Sequence, residues 1–340
     1  MNAARPDIKI RNRRLLNEER RRRRPVLESF PPQIQIEPTN RCNLACASCA
    51  RNYYAGEKNP PGDLDPSLYP RLEELFVRAE SVLLGGYGEP LLGQGAEDIM
   101  RLAADHGCAV EVITNGTLID KRWVRLARSL PVGRFTFSVD ASSEGGMTRA
   151  RGVGLSEVLS HIKEMRDGSP STQIAINFTL NRGNLGDLAG LIDLAMENGV
   201  ARIAVAHQKI YTRSQGDVSA LNEGTKLDAI FNDARRRARE SGIDLELPPT
   251  SGARECMQPL ELMMIRNDGM AFACCSAMFG GGGARLKLGR LQDAEVKELW
   301  NAPAALNARE RILGRPHEPG PCDDCAWRVF TPEAMRRFLD

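Results

Sequence analysis

Nowhere in the 340 residues does an apolar run approach the roughly 18 residues that a membrane-spanning helix needs. The basic start at Met1 is not followed by an apolar segment either, so neither an anchor nor a secretory signal is expected, and a cytoplasmic protein is. Aromatic residues are scarce at 5%, and the net charge is only +2. That small sum conceals an asymmetry: residues 1–24 hold ten Lys/Arg against Asp7, Glu18 and Glu19, giving +7, whereas the remainder carries −5. Basic arms dock on nucleic acid or other anionic surfaces, but this one has no interleaved aromatics for stacking on bases and is read as a solvated, partly helical tail. Its removal is expected to leave the chemistry of the rest intact. What is plentiful, 42% hydrophobic and 26% charged residues, is the profile of a globular protein, and at roughly 150 residues per domain the length predicts about two domains.

An even cysteine count is missing too. Of nine cysteines, Cys42, Cys46 and Cys49 form an early group, Cys256, Cys274, Cys275, Cys322 and Cys325 a late one, and Cys108 stands alone as a small buried residue. In a reducing compartment such grouping points to metal or redox chemistry rather than to disulfides.

Between the groups, short apolar runs alternate with helical stretches. Strands are predicted near 33–37, 81–84, 109–113, 134–139, 172–180 and 202–206, and helices near 66–80, 95–107, 119–130, 154–167 and 184–199. Six such units imply a parallel α/β sheet and fall short of the eight that close a barrel, so a partial (β/α)6 barrel, open on one side, is expected. After a polar helix near 220–241, Pro248-Pro249 reads as a linker. Leu262–Ile265 and Met270–Ala273 then flank Asn267-Asp268-Gly269, a hairpin signal, and Asp293 is the expected N-cap of a helix ending near Trp300. The expected segments are a basic extension at 1–30, the barrel at 31–247 and a small cysteine-bearing module at 248–340, whose thin apolar core calls for a metal staple.

Cys42-x3-Cys46-x2-Cys49 lies on the loop leaving the first strand, where parallel sheets carry catalytic groups. Three thiolates hold three irons of a 4Fe-4S cluster and leave the fourth open to a chelating ligand. The segment Glu37-Pro38-Thr39-Asn40-Arg41-Cys42-Asn43-Leu44-Ala45-Cys46-Ala47-Ser48-Cys49 closely resembles the signature of radical S-adenosylmethionine (SAM) enzymes. The resemblance implies that SAM chelates the open iron through its amino and carboxylate groups and is cleaved reductively to a 5'-deoxyadenosyl radical that abstracts hydrogen. It also implies an external one-electron reductant such as flavodoxin or ferredoxin.

Further segments resemble the family in order and spacing. Gly85-Gly86-Tyr87-Gly88-Glu89-Pro90 is similar to its glycine-rich segment, which receives the SAM amino group, and glycines let backbone carbonyls approach closely. Asn115, Ser138 and Asp140 match positions near the ribose and carboxylate of SAM, and Arg151 resembles a loop arginine that meets a carboxylate. For Asn115, Asp140 and Arg151 a turn or capping role is the competing reading.

In the late group, Cys256, Cys274, Cys322 and Cys325 supply four thiolates, enough to saturate a cluster. Zinc accepts the same ligands, although zinc ribbons usually present two short knuckles and only Cys322-x2-Cys325 forms one here. The surrounding Pro259-Leu260, Asp268-Gly269, Leu288–Leu291, Glu298–Asn301 and Arg309 resemble the shortened auxiliary-cluster module called twitch, as in the butirosin-pathway aminocyclitol dehydrogenase; the longer SPASM module carries additional cysteines. On that resemblance a second, auxiliary 4Fe-4S cluster is expected. One of Cys274 and Cys275 ligates it; Cys274 is chosen, leaving Cys275 as a small buried thiol or as a hydrogen donor.

A saturated cluster accepts the second electron from a substrate radical, which favours net oxidation. The resemblance implies carbinol-to-ketone oxidation of an aminocyclitol or aminoglycoside, a small polar natural-product substrate. The alternatives are oxidative modification of a peptide and redox-neutral epimerisation of a sugar or peptide with Cys275 as donor. Because 41 residues precede Cys42, a leader-peptide-gripping domain is not expected there. His207 and Tyr211, at the end of the sixth strand, are candidates to meet substrate, His207 as a base or else as a satisfied structural histidine. A non-enzymatic electron carrier or RNA-binding protein would need none of the SAM-site segments, and neither nucleic acid nor membrane is expected as a partner.

Overall fold

The computed structural model describes residues 5–52, 59–210, 217–274, 286–320, 322–323, 325 and 328–331. The chain begins with α1 (Arg5–Arg21), β1 (Gln33–Ile36), α2 (Tyr69–Phe76), β2 (Ser81–Leu84), α3 (Ala96–Asp105), β3 (Ala109–Thr114), α4 (Lys121–Ser129), β4 (Val132–Ser138), α5 (Glu144–Arg151) and α6 (Leu155–Gly168). It continues through β5 (Gln173–Leu180), α7 (Asp187–Glu197), β6 (Arg202–His207), α8 (Thr225–Ser241), β7 (Asp244–Glu246) and β8 (Gly252–Ala253). Then come α9 (Gln258–Glu261), β9 (Leu262–Ile265), β10 (Met270–Phe272), β11 (Lys287–Arg290), α10 (Val296–Trp300), α11 (Pro303–Ile312) and β12 (Val329–Phe330). Contacts divide the chain into two units: Met1–Arg41, Ala55–Glu111 and Glu255–Arg328 in the first, and Cys42–Tyr54, Val112–Arg254 and Val329–Asp340 in the second.

In the first unit β1 lies between two parallel neighbours, β2 and β9, with Ile36 opposite Leu84 on one side and Ile265 on the other. The pairing explains why Leu262-Met263-Met264-Ile265 is apolar at every position: all four are buried, as in a strand covered on both faces. The Asn267-Asp268-Gly269 turn, with Gly269 at φ 80°, reverses β9 into antiparallel β10, as the sequence predicts. On α2, Leu72, Leu75 and Phe76 recur at helical spacing and are all buried.

The N-terminal segment differs from the solvated tail expected of it. Residues 5–21 form α1, and Leu16, Asn12 and Glu19 on it are 0, 6 and 1% exposed. The Glu19 carboxylate accepts the Glu28 N–H at 2.6 Å and the Ser29 hydroxyl at 2.6 Å; Asn12 exchanges two hydrogen bonds with the Phe30 backbone; Arg13 and Arg20 pair with Glu80 and Glu261. One face of the helix is thus buried by polar side chains that find partners, a pattern that arginine content hides from a charge count. The last helix before Trp300 is capped by Glu295 and Glu298 in a capping box rather than by Asp293.

The second unit contains β4, β5, β6 and β7, paired parallel in that order, with Phe137 opposite Ile176 and Thr179 opposite Ala206. Its unexpected element is α5. Gly145-Gly146 disguises it as a loop, but Ser143 caps its start through the Gly146 N–H and Gly152, at φ 78°, ends it. No helix among the described residues is long and apolar enough to cross a membrane.

Candidate metal centres

The three-thiol loop is built within the second unit. Its turn is closed by the Cys49 N–H donating to the Cys46 carbonyl at 3.1 Å, and side chains pin it from within: Arg51 to the Leu44 carbonyl at 2.7 Å and Asn52 to the Cys46 carbonyl at 2.8 Å. The end of α5 holds its other side, where the Ala47 N–H donates to Ala150 at 3.0 Å and the Cys46 thiol lies 3.7 Å from the Arg151 carbonyl. Asn115, at the end of β3, reaches Asn43 at 2.9 Å and approaches the Cys42 sulfur at 3.9 Å, while its own carbonyl accepts the Thr117 N–H. It both caps a turn and touches the loop. Burial pushes the Cys46 and Cys49 thiols up, and each is raised further by the Cys42 charge, with Arg151 opposing. Thiols so crowded release their protons to a bound metal.

Arg151 is aimed by Asp140. One Asp140 oxygen accepts the Thr179 N–H at 2.7 Å and the other accepts Arg151 at 2.6 Å, the two side chains being 3 and 13% exposed. The Arg151 Nε has no partner among the described residues although it is buried. An orphan donor of this kind beside the thiol loop fits an anionic ligand such as the SAM carboxylate. Ser138 is half-buried at the end of β4.

Within the first unit, the Gly86-Tyr87-Gly88 loop follows β2 and lies against the chain that leaves β1. A Cβ on Gly88 would overlap the Thr39 and Arg41 carbonyls, and one on Gly86 would stand 2.6 Å from Glu37 Oε1. Glu89 turns its carboxylate back to cap the following turn at the Leu91 N–H, 3.2 Å away. Sequence reasoning named Glu37 only as the first residue of the signature segment and gave it no role.

The four-thiol set also lies in the first unit. Cys274 is 8% exposed, and Cys322 is pushed up to about 12 by burial and by the charges of Cys274, Cys325 and Cys256, so the other three sulfurs all act on Cys322. The loop carrying Cys322 and Cys325 is fixed by Asp323, which accepts from the Gly320 N–H at 2.9 Å, from Arg311 and from His317, and by Arg328, which donates to the Cys322 carbonyl at 3.1 Å. Among the described residues no three His, Cys, Asp or Glu side chains close around a single metal ion. Four thiolates in one neighbourhood are a donor set that zinc and a 4Fe-4S cluster both accept.

His207 is buried between the Phe231 and Phe330 rings, and its Nε2 hydrogen-bonds to the Pro249 carbonyl at 2.9 Å. Burial lowers its pKa, so the ring is neutral, and Nδ1 has no partner among the described residues. Tyr211 and Cys275 lie outside the described residues. Cys108 is buried at 1% exposure with Lys9 3.2 Å from its sulfur.

These two thiol sets on an α/β frame define a class. Residues 36–194 match the Radical SAM superfamily and residues 256–326 the SPASM iron-sulfur cluster-binding domain. The chain carries a radical SAM domain and a SPASM-type iron-sulfur module on a mixed α/β, parallel-sheet fold typical of the radical SAM partial barrel, and these domains imply SAM and two 4Fe-4S clusters as cofactors. It is 24% identical over 253 residues to the tungsten-containing aldehyde ferredoxin oxidoreductase cofactor-modifying protein of Pyrococcus furiosus, covering 71% of this chain and 70% of that one. It is also 24% identical over 318 residues to PqqA peptide cyclase of Methylobacterium nodulans, covering 88 and 80%. The structure of Streptococcus suis SuiB bound to precursor peptide SuiA shares the fold, with a TM-score of 0.65 at 16% identity, over 91% of this chain and 73% of that one.

Proposed function

We propose that this enzyme oxidises its substrate by two electrons, removing hydrogen from a C–H bond. The observation that carries the reading is the second thiol set, in which Cys256, Cys274 and Cys325 all act on the Cys322 thiol, four sulfurs that suffice to saturate a cluster. When bound, SAM with its cluster supplies the means of hydrogen abstraction, and the auxiliary cluster supplies a site for the second electron. The chain's own residues would hold these groups: Cys42, Cys46 and Cys49 would ligate the SAM cluster, Arg151, held by Asp140, would meet the SAM carboxylate, and the Gly86–Gly88 loop would receive the amino group. Asp323 and Arg328 hold the loop of Cys322 and Cys325. His207, neutral and flanked by two aromatic rings, holds the end of β6 against Pro249, a structural role in keeping with its burial.

A peptide side chain is the better-supported substrate class, because the alignment with the peptide cyclase spans both the barrel and the module, 88% of this chain. The carbinol of an aminocyclitol or aminoglycoside is the second reading and needs the same electron sink. Anaerobic turnover of candidate peptides and aminocyclitols with a one-electron reductant tests both, read by product mass. Loss of two hydrogens is expected. An unchanged mass with one deuterium taken up from deuterated water would instead establish epimerisation.

A further inference from the structure

Glu37 is the acid with no task in the account so far. It directly follows β1, the strand between β2 and β9, and is 1% exposed. From the loop after β2 it accepts the Tyr87 N–H at 2.6 Å, and the Gly88 N–H donates to it as well. From the turn after β9 its other oxygen faces the Asn267 N–H at 3.4 Å. In a planar trans peptide the N–H and C=O point in opposite directions, and no cis bond occurs among the described residues. Fixing the N–H groups of Tyr87 and Gly88 on Glu37 therefore turns the carbonyls of Gly86 and Tyr87 away from it. Gly86 makes the approach possible, since any Cβ there would strike the carboxylate.

We propose that Glu37 is the positioning residue of the cofactor loop: it aims the Gly86 and Tyr87 carbonyls as paired acceptors for the SAM amino group, and through Asn267 it ties that loop to the hairpin leading to Cys274. The inference rests on the reading that this loop receives the amino group. An ionised carboxylate behind the two amides polarises them and makes their carbonyls better acceptors. Burial raises the Glu37 pKa to about 7, opposed by the Tyr87, Asn267 and Gly88 N–H groups and by Arg266. The charged group that acts on it is Arg266, which follows β9 and is itself paired with Asp268.

SAM binding to the anaerobically reconstituted protein, measured by equilibrium dialysis from pH 6 to 8, provides the test, with infrared titration of the metal-free protein as a second readout. Wild-type affinity should weaken about tenfold from pH 8 to pH 6 as Glu37 protonates. Glu37→Gln, which sets an amide donor against N–H donors, should bind at pH 8 about as weakly as wild type at pH 6, without pH dependence and with both clusters retained. The infrared band of a buried carboxylic acid should titrate near 7 in wild type and vanish in Glu37→Gln. Arg266→Gln should move both midpoints upward, a prediction that stands even if Glu37→Gln fails to fold. Gly88→Ala should abolish binding. If it does while Glu37→Gln binds like wild type, or Arg266→Gln leaves the midpoints unmoved, the inference falls and the loop's role survives; if Gly88→Ala binds SAM normally, the reading of the loop falls and the inference with it.

Discussion

A carboxylate buried as deeply as Glu37 costs stability when it ionises. Its folded-state pKa of about 7 lies above the ordinary 4.5, so the folded protein holds the proton more tightly than the unfolded chain does. The resulting stabilisation is complete below pH 4.5 and is lost as pH rises through 7, amounting to about 3 kcal/mol. Glu37→Gln, neutral throughout, should therefore gain in melting temperature relative to wild type as pH climbs from 5 to 8, in the direction opposite to its effect on SAM binding. Asp140 is a second buried acid, and its two oxygens accept hydrogen bonds from the Thr179 N–H and from Arg151. Asp140→Ala strands the Arg151 charge beside the thiol loop, and chemical denaturation should register a loss of about 3 kcal/mol.

At the scale of elements, the sheet was legible where hydrophobic period and turn chemistry agree. The strand predicted at 81–84 is β2, that at 202–206 is β6 but for His207, and the hairpin around Asn267-Asp268-Gly269 forms as predicted. Polar burial was not legible. Nothing in the run Arg20–Arg24 announces that Glu19 and Asn12, within the same helix, are buried against residues 28–30, because only tertiary partners make such burial affordable. Glu37 and Asp323 were given no role for the same reason: a carboxylate's value depends on N–H donors that other segments bring. Deleting residues 1–24 is accordingly expected to destabilise the protein rather than to spare it. A subtler test is Glu19→Ala, which leaves the Glu28 and Ser29 N–H groups and the Ser29 hydroxyl without their acceptor; about 3 kcal/mol should be lost in urea unfolding. Arg309 does similar work for the module, its fully buried guanidinium reaching the carbonyls of Pro259, Pro25 and Trp300. Arg309→Lys cannot reproduce a planar fork directed at three carbonyls and should cost about 2 kcal/mol in the same assay.

For the whole molecule the decisive quantity is the metal count, because it depends on two thiol sets that belong to different compact units. Each set has a scaffold of its own: α5, Arg51 and Asn52 hold the loop of Cys42, Cys46 and Cys49, and Asp323 and Arg328 hold the loop of Cys322 and Cys325. Among the described residues the hydrogen bonds that hold each loop come from its own unit, so the two centres should load independently. Iron analysis of the anaerobically reconstituted protein should give about eight irons per chain, and replacing Cys42, Cys46 and Cys49 together by Ala should leave about four. The converse replacement of Cys256, Cys274, Cys322 and Cys325 should leave about four as well and should preserve SAM cleavage while abolishing net oxidation of substrate, because the site for the second electron is gone. Loss of both centres on removing either set would show that the units do not assemble separately. Zinc in place of iron at the late set would remove the electron sink and with it the case for oxidation.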